Sequence, residues 1–125
     1  MSISRIIHVH NLDISSQALL QIKYCASFLC RLRGLTFRRE ISPTEGLLLV
    51  QKRDSRLDAS IHMLAVSFDL AIIWIDSSMT VVDKVLAKSW HLSYAPKNKA
   101  QYILEIHPDR WDDFDIGNKV KFEDI

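Results

Sequence analysis

His62 is the first candidate for a functional side chain among the five histidines of this chain of 125 residues. An imidazole can bind a metal, exchange hydrogen bonds and titrate near neutral pH. The residue stands between the apolar Ile61 and Met63, on a segment that we predict to be an inner strand. No acidic residue lies at a spacing that would make it half of a catalytic dyad. We therefore take His62 as the first candidate ligand-binding residue, with a buried histidine held by backbone hydrogen bonds as the alternative.

Two further histidines, His8 and His10, alternate along the predicted first strand. Side chains on a strand repeat every two residues, so both imidazoles share one face. Metal sites use this spacing but need a third ligand, for which the sequence offers His62, His91 or His107. A polar edge strand is the preferred explanation of the pair. We predict no metal and no cofactor, and keep a small metal-dependent enzyme centred on His62 with His8 and His10 as an alternative.

Cationic side chains cluster between Arg31 and Arg39 and continue in the following loop with Lys52, Arg53 and Arg56. Such a cluster can bind phosphates through salt-sensitive contacts that do not depend on sequence. However, the formal net charge is only +1, and no RNP, KH or helix-turn-helix pattern accompanies the cluster. We therefore expect no nucleic-acid partner and interpret the cluster as a solvated helix face. Electrostatic binding of nucleic acid through the Arg31 to Arg39 helix remains an alternative.

Motifs of known enzyme mechanisms are missing from the sequence, which has no GxSxG elbow, P-loop, dinucleotide-binding glycine loop or HExxH. Cys25 and Cys30 fit neither a CxxC redox pair nor a zinc site. On a helix, a separation of five residues would point the two thiols to different faces. We predict that both cysteines are reduced and that Cys25 lies in the core. No catalytic residue is assigned, and we do not expect an enzyme.

The cytoplasm is the expected location. The first ten residues lack the basic-then-apolar layout of a signal peptide. The longest apolar run, residues 70–75, is far shorter than the roughly 20 residues that span a bilayer. We therefore expect no membrane partner.

The elements that must position these side chains are mostly strands. Alternating and continuous apolar patterns predict eight of them, at residues 3–9, 18–24, 47–50, 61–66, 68–76, 80–87, 101–106 and 119–123. The segment 68–76 is apolar at both alternate sets of positions, which predicts a strand buried on both faces. Apolar residues from Cys25 to Leu35 follow the spacing of an amphipathic helix. Residues 51–60 are charged and aperiodic, which predicts an exposed loop, and residues 108–114 predict a short helical turn.

These elements predict an α+β, β-dominated fold. It consists of a single compact barrel-like mixed sheet of about seven to eight strands with one main amphipathic helix, in one domain over residues 1–125.

The order of several sequence blocks resembles a known family. Residues 31–38 (RLRGLTFR), 45–50 (EGLLLV) and 61–76 (IHMLAVSFDLAIIWID), with 102–106 and 116–120, resemble the small prokaryotic family catalogued as domain of unknown function 192. The resemblance implies a β-rich fold, no established activity and a bacterial source. The chain departs from the family pattern at Asp69, Ala71, Met79 and Asn118, where the family has proline, aspartate, glycine and an acid. Chemistry that required both family carboxylates is therefore not expected in this chain.

The leading interpretation is a non-catalytic binding or accessory domain for a small ligand or a protein partner. Barrel mouths and clefts beside a helix are common places for such sites. We predict that the ligand-binding surface is bounded by Arg31, Arg33, His62 and Trp90. Residues 90–96, which include two aromatic side chains, are expected to form an ordered loop that a binding partner contacts.

Overall fold

The computed structural model describes residues 5–14, 20–27, 30–31, 34–35, 40–63, 66–91 and 93–125. These residues contain seven strands. The strands are β1 (Arg5–Asn11), β2 (Gln21–Cys25), β3 (Glu45–Ser55), β4 (Leu70–Ile75), β5 (Val81–Ala87), β6 (Ala100–Ile106) and β7 (Val120–Asp124). A short 3-10 helix, Pro108–Asp113, separates β6 from β7. No helix of the described residues is long and apolar enough to cross a membrane.

The strands build one mixed sheet in the order β5-β4-β6-β3-β2-β1-β7. Only β2 and β3 run parallel, and the other neighbouring strands are antiparallel. The predicted β-dominated mixed sheet is thus confirmed. The order places β3 and β6, which are far apart in the sequence, side by side at its centre.

The predicted barrel closure is wrong, because β5 and β7 form no ladder at the two edges of the sheet. They meet only near their ends, through the isolated bridge between Thr80 and Lys119 and a few backbone hydrogen bonds. One of these bonds runs from the Val120 N–H to the Met79 carbonyl oxygen at 2.9 Å. Met79, at the turn position where the family has glycine, adopts a positive φ of 65°. The sheet therefore curls strongly and stays open.

Both faces of the sheet are buried at its centre. All six residues of β4 are buried, as the apolar pattern of this segment predicts. Trp74 packs into one core cluster together with Leu49 and Ile103, and its indole N–H donates to the Ala59 carbonyl oxygen at 2.8 Å. The opposite face forms a second cluster around Ile73, to which Phe114, just after the 3-10 helix, contributes a fully buried ring.

The predicted main helix is wrong at its start, where Cys25 belongs to β2. Within the described part of the chain, the segment keeps short helical structure, in which the Arg31 N–H donates to the Ser27 carbonyl oxygen at 3.0 Å and the Gly34 N–H donates to the Cys30 carbonyl oxygen at 2.9 Å. Cys25, the first residue of the predicted apolar stripe, instead ends β2 and is buried, as expected for its side chain alone. Much of the predicted helix, including residues 28–29, 32–33 and 36–39, lies outside the described residues. Pairing of β2 with β3 overrides the helical spacing at its start.

Two further predicted elements are corrected. β3 continues to Ser55 through the segment predicted to be an exposed loop, with a shift in its register against β6 between Val50 and Ser55. This irregularity accommodates charged residues that do not alternate with apolar ones. In the described residues of the predicted strand 61–66, which exclude 64–65, the pairing is an isolated bridge, in which Ile61 and Tyr94 exchange backbone hydrogen bonds of 2.9 and 2.8 Å.

Cys25 and Cys30 form a disulfide, which contradicts the predicted reduced thiols. The prediction placed both residues on one helix, whereas Cys25 ends a strand and the chain turns sharply before Cys30. Their Cα atoms lie 5.5 Å apart. The bond ties the end of β2 to the helical turn that carries Arg31.

Replacing both cysteines by serine is expected to lower the free energy of unfolding by about 2 kcal/mol, because a short covalent loop is released in the unfolded chain. Urea denaturation of the double variant and the wild type measures this loss. Alkylation of the unreduced, denatured wild type should add no label, and labelling of both thiols would contradict the disulfide.

Candidate functional site

A cavity of about 580 Å³ opens beside the core cluster that contains Trp74. This volume falls within the range of small-molecule sites. Its inner wall is made of buried apolar side chains: Leu35, Leu49, Ile61, Met63, Val66, Leu70 and Ile103. Its outer part carries polar and charged side chains: Arg31, Gln51, Lys52, Arg53, Asp58, Ser60 and His62. The site is thus an apolar cavity with a charged mouth.

The two central strands β3 and β6 position most of this site. On β3, Leu49, Gln51 and Arg53 follow each other at the spacing of two that keeps side chains on one face. On β6, Ile103 and Glu105 do the same. Since β3 and β6 are adjacent and antiparallel, these two rows lie side by side. The strand pairing therefore creates the cavity wall from two distant parts of the sequence.

Glu105 is the most unusual side chain of the cavity. It is only 6% exposed, and burial raises the pKa of its carboxyl group to about 7. Among the described residues, no hydrogen bond or ion pair reaches this carboxyl group, whereas both carboxylate oxygens of buried Asp83 accept backbone N–H groups. A buried polar group without a partner is costly and rare. A carboxyl group with a raised pKa on a cavity wall is typical of functional sites.

The backbone at Gly34 passes close to this carboxyl group. A Cβ atom at this position would lie 3.9 Å from Glu105 Oε1, which is ordinary van der Waals contact. Gly34 also adopts a positive φ of 52°. The backbone at Gly34 thus covers one side of the Glu105 carboxyl group.

Arg31 is held in place at the mouth of the cavity. Its guanidinium group donates to Gln51 Oε1 at 2.8 Å and to the Ser27 carbonyl oxygen at 3.4 Å. Two of its five N–H groups are used in these bonds, and the others are available for a carboxylate or a phosphate. Lys52 and Arg53 are exposed next to it along the same rim. The mouth therefore carries three cationic side chains against one exposed acid, Asp58.

The structure brings together two of the four predicted site residues, Arg31 and His62, which both line the cavity. His62 is exposed, so the alternative of a buried histidine is wrong. Trp90 does not line the cavity, although its backbone N–H donates to the Met63 carbonyl oxygen at 2.9 Å. Its side chain is 61% exposed and its φ is 62°. Arg33 lies outside the described residues.

Glu105 was missed by the sequence analysis. The signal was present, because Glu105 interrupts the apolar run from Ile103 to Ile106. An acid in a strand that is otherwise buried marks either an edge or a site. The sequence alone did not show that this strand lies at the centre of the sheet.

The proposed third metal ligands for His8 and His10 do not join them. Among the described side chains, His8 and His10 meet the spacing of a metal site with Glu123 and not with another histidine. The ring of His91 stacks on Tyr94 with centroids 4.6 Å apart. His107 Nδ1 accepts the backbone N–H of Asp109 at 3.0 Å, which caps the 3-10 helix. In the described residues, His8 and His10 therefore do not share a metal-ligand cluster with His62.

Comparison with known proteins shows that the chain belongs to one uncharacterised family. The model of the DUF192 family, described as uncharacterized ACR, matches residues 10–122. A UPF0127 protein of Thermococcus kodakarensis is 42% identical over 85 residues, covering 68% of this chain and 52% of the relative. One from Pyrococcus furiosus is 30% identical over 95 residues, covering 76% of this chain and 78% of the relative. These relatives are archaeal, so they do not support the expected bacterial source.

The chain spans about half the length of the Thermococcus kodakarensis relative and of another from Thermococcus gammatolerans, with 52% and 53% covered. Among solved structures, a protein of unknown function from Novosphingobium aromaticivorans has a TM-score of 0.78 at 16% identity, covering 94% of this chain and 84% of its own. A candidate transcription regulator from Sinorhizobium meliloti has a TM-score of 0.81 at 15% identity, covering 96% and 94%. At these identities, the likeness shows the fold alone.

Proposed function

We propose that this chain, which belongs to the uncharacterised DUF192 family, binds a small molecule with an apolar body and one anionic group. The family brings no established activity, so the proposal rests on the cavity. The single observation that carries it is Glu105, a buried carboxyl group that has no partner among the described residues, on the wall of a cavity of about 580 Å³. In this proposal the protein is a binding domain and not an enzyme.

The apolar inner wall supports a ligand with a hydrocarbon part. Side chains such as Leu49, Met63 and Ile103 are buried around the cavity and offer no hydrogen bond. Removing apolar ligand surface from water contributes about 25 cal/mol per Å². A short aliphatic or aromatic body therefore fits this part of the site better than a sugar or a free phosphate does.

The cationic mouth supports an anionic group on the ligand. Arg31 is fixed by Gln51, so little side-chain entropy is lost when its guanidinium group binds a carboxylate or phosphate. Lys52 and Arg53 add positive charge on the same rim. A charge-assisted hydrogen bond at this place contributes about 1.5–3 kcal/mol.

Glu105 supports a hydrogen-bond acceptor at the inner end of the ligand. Because burial raises its pKa to about 7, the carboxyl group is protonated over much of the range below neutral pH. A protonated carboxyl group is a hydrogen-bond donor and does not repel an anion. Once ionised, it would repel the same ligand. Binding of an anionic ligand should therefore weaken as the pH rises through about 7.

A small ligand is favoured over the protein partner and the nucleic acid considered above because the recognition groups converge inside a concavity. Of the charged cavity residues, Arg31 is partly buried and Glu105 is buried. A nucleic-acid site would instead place its cationic groups along an exposed surface. No comparable observation on the described residues favours those two partners.

Three probes with one body and different head groups test the proposal: hexanoate, hexanol and hexylamine, in thermal-shift measurements at pH 6. Hexanoate is expected to raise the melting temperature most, because it is the only one of the three with a negative charge that pairs with the Arg31 guanidinium group. A ligand at ten times its dissociation constant stabilises the folded protein by about 1.4 kcal/mol. A flat response to all three probes, or the largest shift with hexylamine, would overturn the proposal.

Replacing Arg31 by glutamine is expected to lower the affinity for hexanoate about tenfold, because a charge-assisted hydrogen bond is lost. Arg56→Gln is the matched control, since the Arg56 guanidinium group donates to the Pro96 carbonyl oxygen and does not line the cavity. Titration calorimetry of both variants measures the change. Equal losses in the two variants would show that only the overall charge matters.

A further inference from the structure

His8, His10 and Glu123 form a cluster on the outer face of the sheet, away from the cavity. Along β1, the buried side chains are Ile7, Val9 and Asn11, so His8 and His10 lie on the opposite, half-buried face. Glu123 on β7 is the direct antiparallel partner of His8. One ligand atom from each of the three side chains lies within 4.8 Å of the others. The strand pairing therefore assembles two imidazoles and one carboxylate at a single point.

One atom of this cluster has no hydrogen-bond partner among the described residues. His10 Nε2 is shielded from solvent and makes no hydrogen bond, and its nearest acidic atom is Glu123 Oε1 at 3.6 Å. Leaving a shielded polar atom without a partner costs about 1–3 kcal/mol. A cation placed between the imidazole nitrogen and the carboxylate oxygen would satisfy both atoms at once.

We propose that His8, His10 and Glu123 bind a divalent transition-metal ion, for which Zn²⁺ is the best match. Zinc prefers imidazole nitrogen and carboxylate oxygen at about 2.0–2.2 Å, with donors about 3.4 Å apart in a tetrahedral arrangement. The donor atoms already lie within 4.8 Å, and small side-chain rotations bring them to this distance. The three protein ligands leave one coordination position for water. This site is independent of the ligand proposed for the cavity.

Lys121 is the neighbouring charge that opposes the metal. Its Nζ lies 3.8 Å from Glu123 Oε2, while Glu123 Oε1 faces His10. Glu123 Oε2 thus contacts the ammonium group of Lys121, and Glu123 Oε1 faces the proposed ion. The positive charge of Lys121 lowers the affinity for a cation, so its removal should increase that affinity.

Titration calorimetry with Zn²⁺ on the untagged protein at pH 7.5, with its disulfide intact, tests the site. One ion per chain is expected to bind, and His8→Ala, His10→Ala and Glu123→Gln should each lower the affinity by more than about tenfold. Lys121→Gln should raise it. His91→Ala is the matched control, because His91 stacks on Tyr94 outside the cluster. Far-ultraviolet circular dichroism checks that each variant is folded.

Three results would overturn the proposal. These are the absence of saturable binding of one ion, an equal loss of affinity in His91→Ala, and unchanged binding in Glu123→Gln. If a histidine variant fails to fold, the Glu123→Gln and Lys121→Gln pair still decides, because the two variants are expected to shift the affinity in opposite directions.

Discussion

The Glu105→Gln variant is expected to keep most of the stability that the wild-type protein loses between about pH 4.5 and pH 7. In the folded state burial raises the pKa of Glu105 from the ordinary value of 4.5 to about 7. The folded protein therefore holds a proton that the unfolded chain releases over this range. The stabilisation is fully present below pH 4.5, is lost as the pH rises to about 7, and changes no further above it. The difference corresponds to about 3 kcal/mol.

Urea denaturation of the wild type and the variant at pH 4.5, 6 and 8 measures this effect. Comparing the two proteins at each pH removes the contributions of the histidines and of other groups, since both contain them. Asp58→Asn is the control, because it removes an exposed carboxylate from the same cavity. Parallel losses of stability in the wild type and Glu105→Gln would show that Glu105 does not titrate in this range. The affinity for hexanoate should also lose its pH dependence in the Gln variant.

Replacing Gly46 by alanine is expected to cost about 3 kcal/mol of stability, because the strands on both sides of β3 would have to move. An added Cβ atom would lie 2.7 Å from the Glu105 carbonyl oxygen and 2.9 Å from Ile22 Cδ1. The first contact is with the backbone of β6 and the second with a fully buried side chain of β2. Gly46 thus allows three strands to approach each other directly behind the cavity wall.

Gly117→Ala is the matched control for this substitution. Its φ is +96°, but no atom lies within 4 Å of an added Cβ atom. The expected cost is therefore backbone strain alone, about 1–2 kcal/mol. Urea denaturation of both variants separates steric overlap from strain. A smaller loss in Gly46→Ala than in Gly117→Ala would mean that the strands separate easily at this point.

Most of the strands could be predicted because their apolar patterns are local. Both faces of β4 are apolar in the sequence, and the strand is buried on both faces in the structure. The second half of β3 was missed, since its charged residues are kept in the strand by pairing with β6 and not by their own pattern. The start of the main helix was predicted wrongly because Cys25 fits a helical stripe as well as it fits the end of a strand.

The candidate site was predictable only in part. Arg31 and His62 were identified by their chemical types, and the structure places both on the cavity. Glu105 could not be assigned, because its burial depends on the neighbours of β6 in the sheet, which are β3 and β4. Likewise, Glu123 joins the histidine pair only through the pairing of β1 with β7. Contacts between distant strands carry this information, and a single sequence does not.

The pairing of β1 with β7 also has a consequence for how the protein is made. On the ribosome, β1 emerges before β7, so one of its edges stays without a partner until residues 120–124 have left the exit tunnel. At ordinary translation rates, the intervening segment takes roughly 5–20 s to synthesise. During this time the exposed edge can recruit strands from other nascent chains. Chaperone binding to translating ribosomes should therefore persist until the last strand appears.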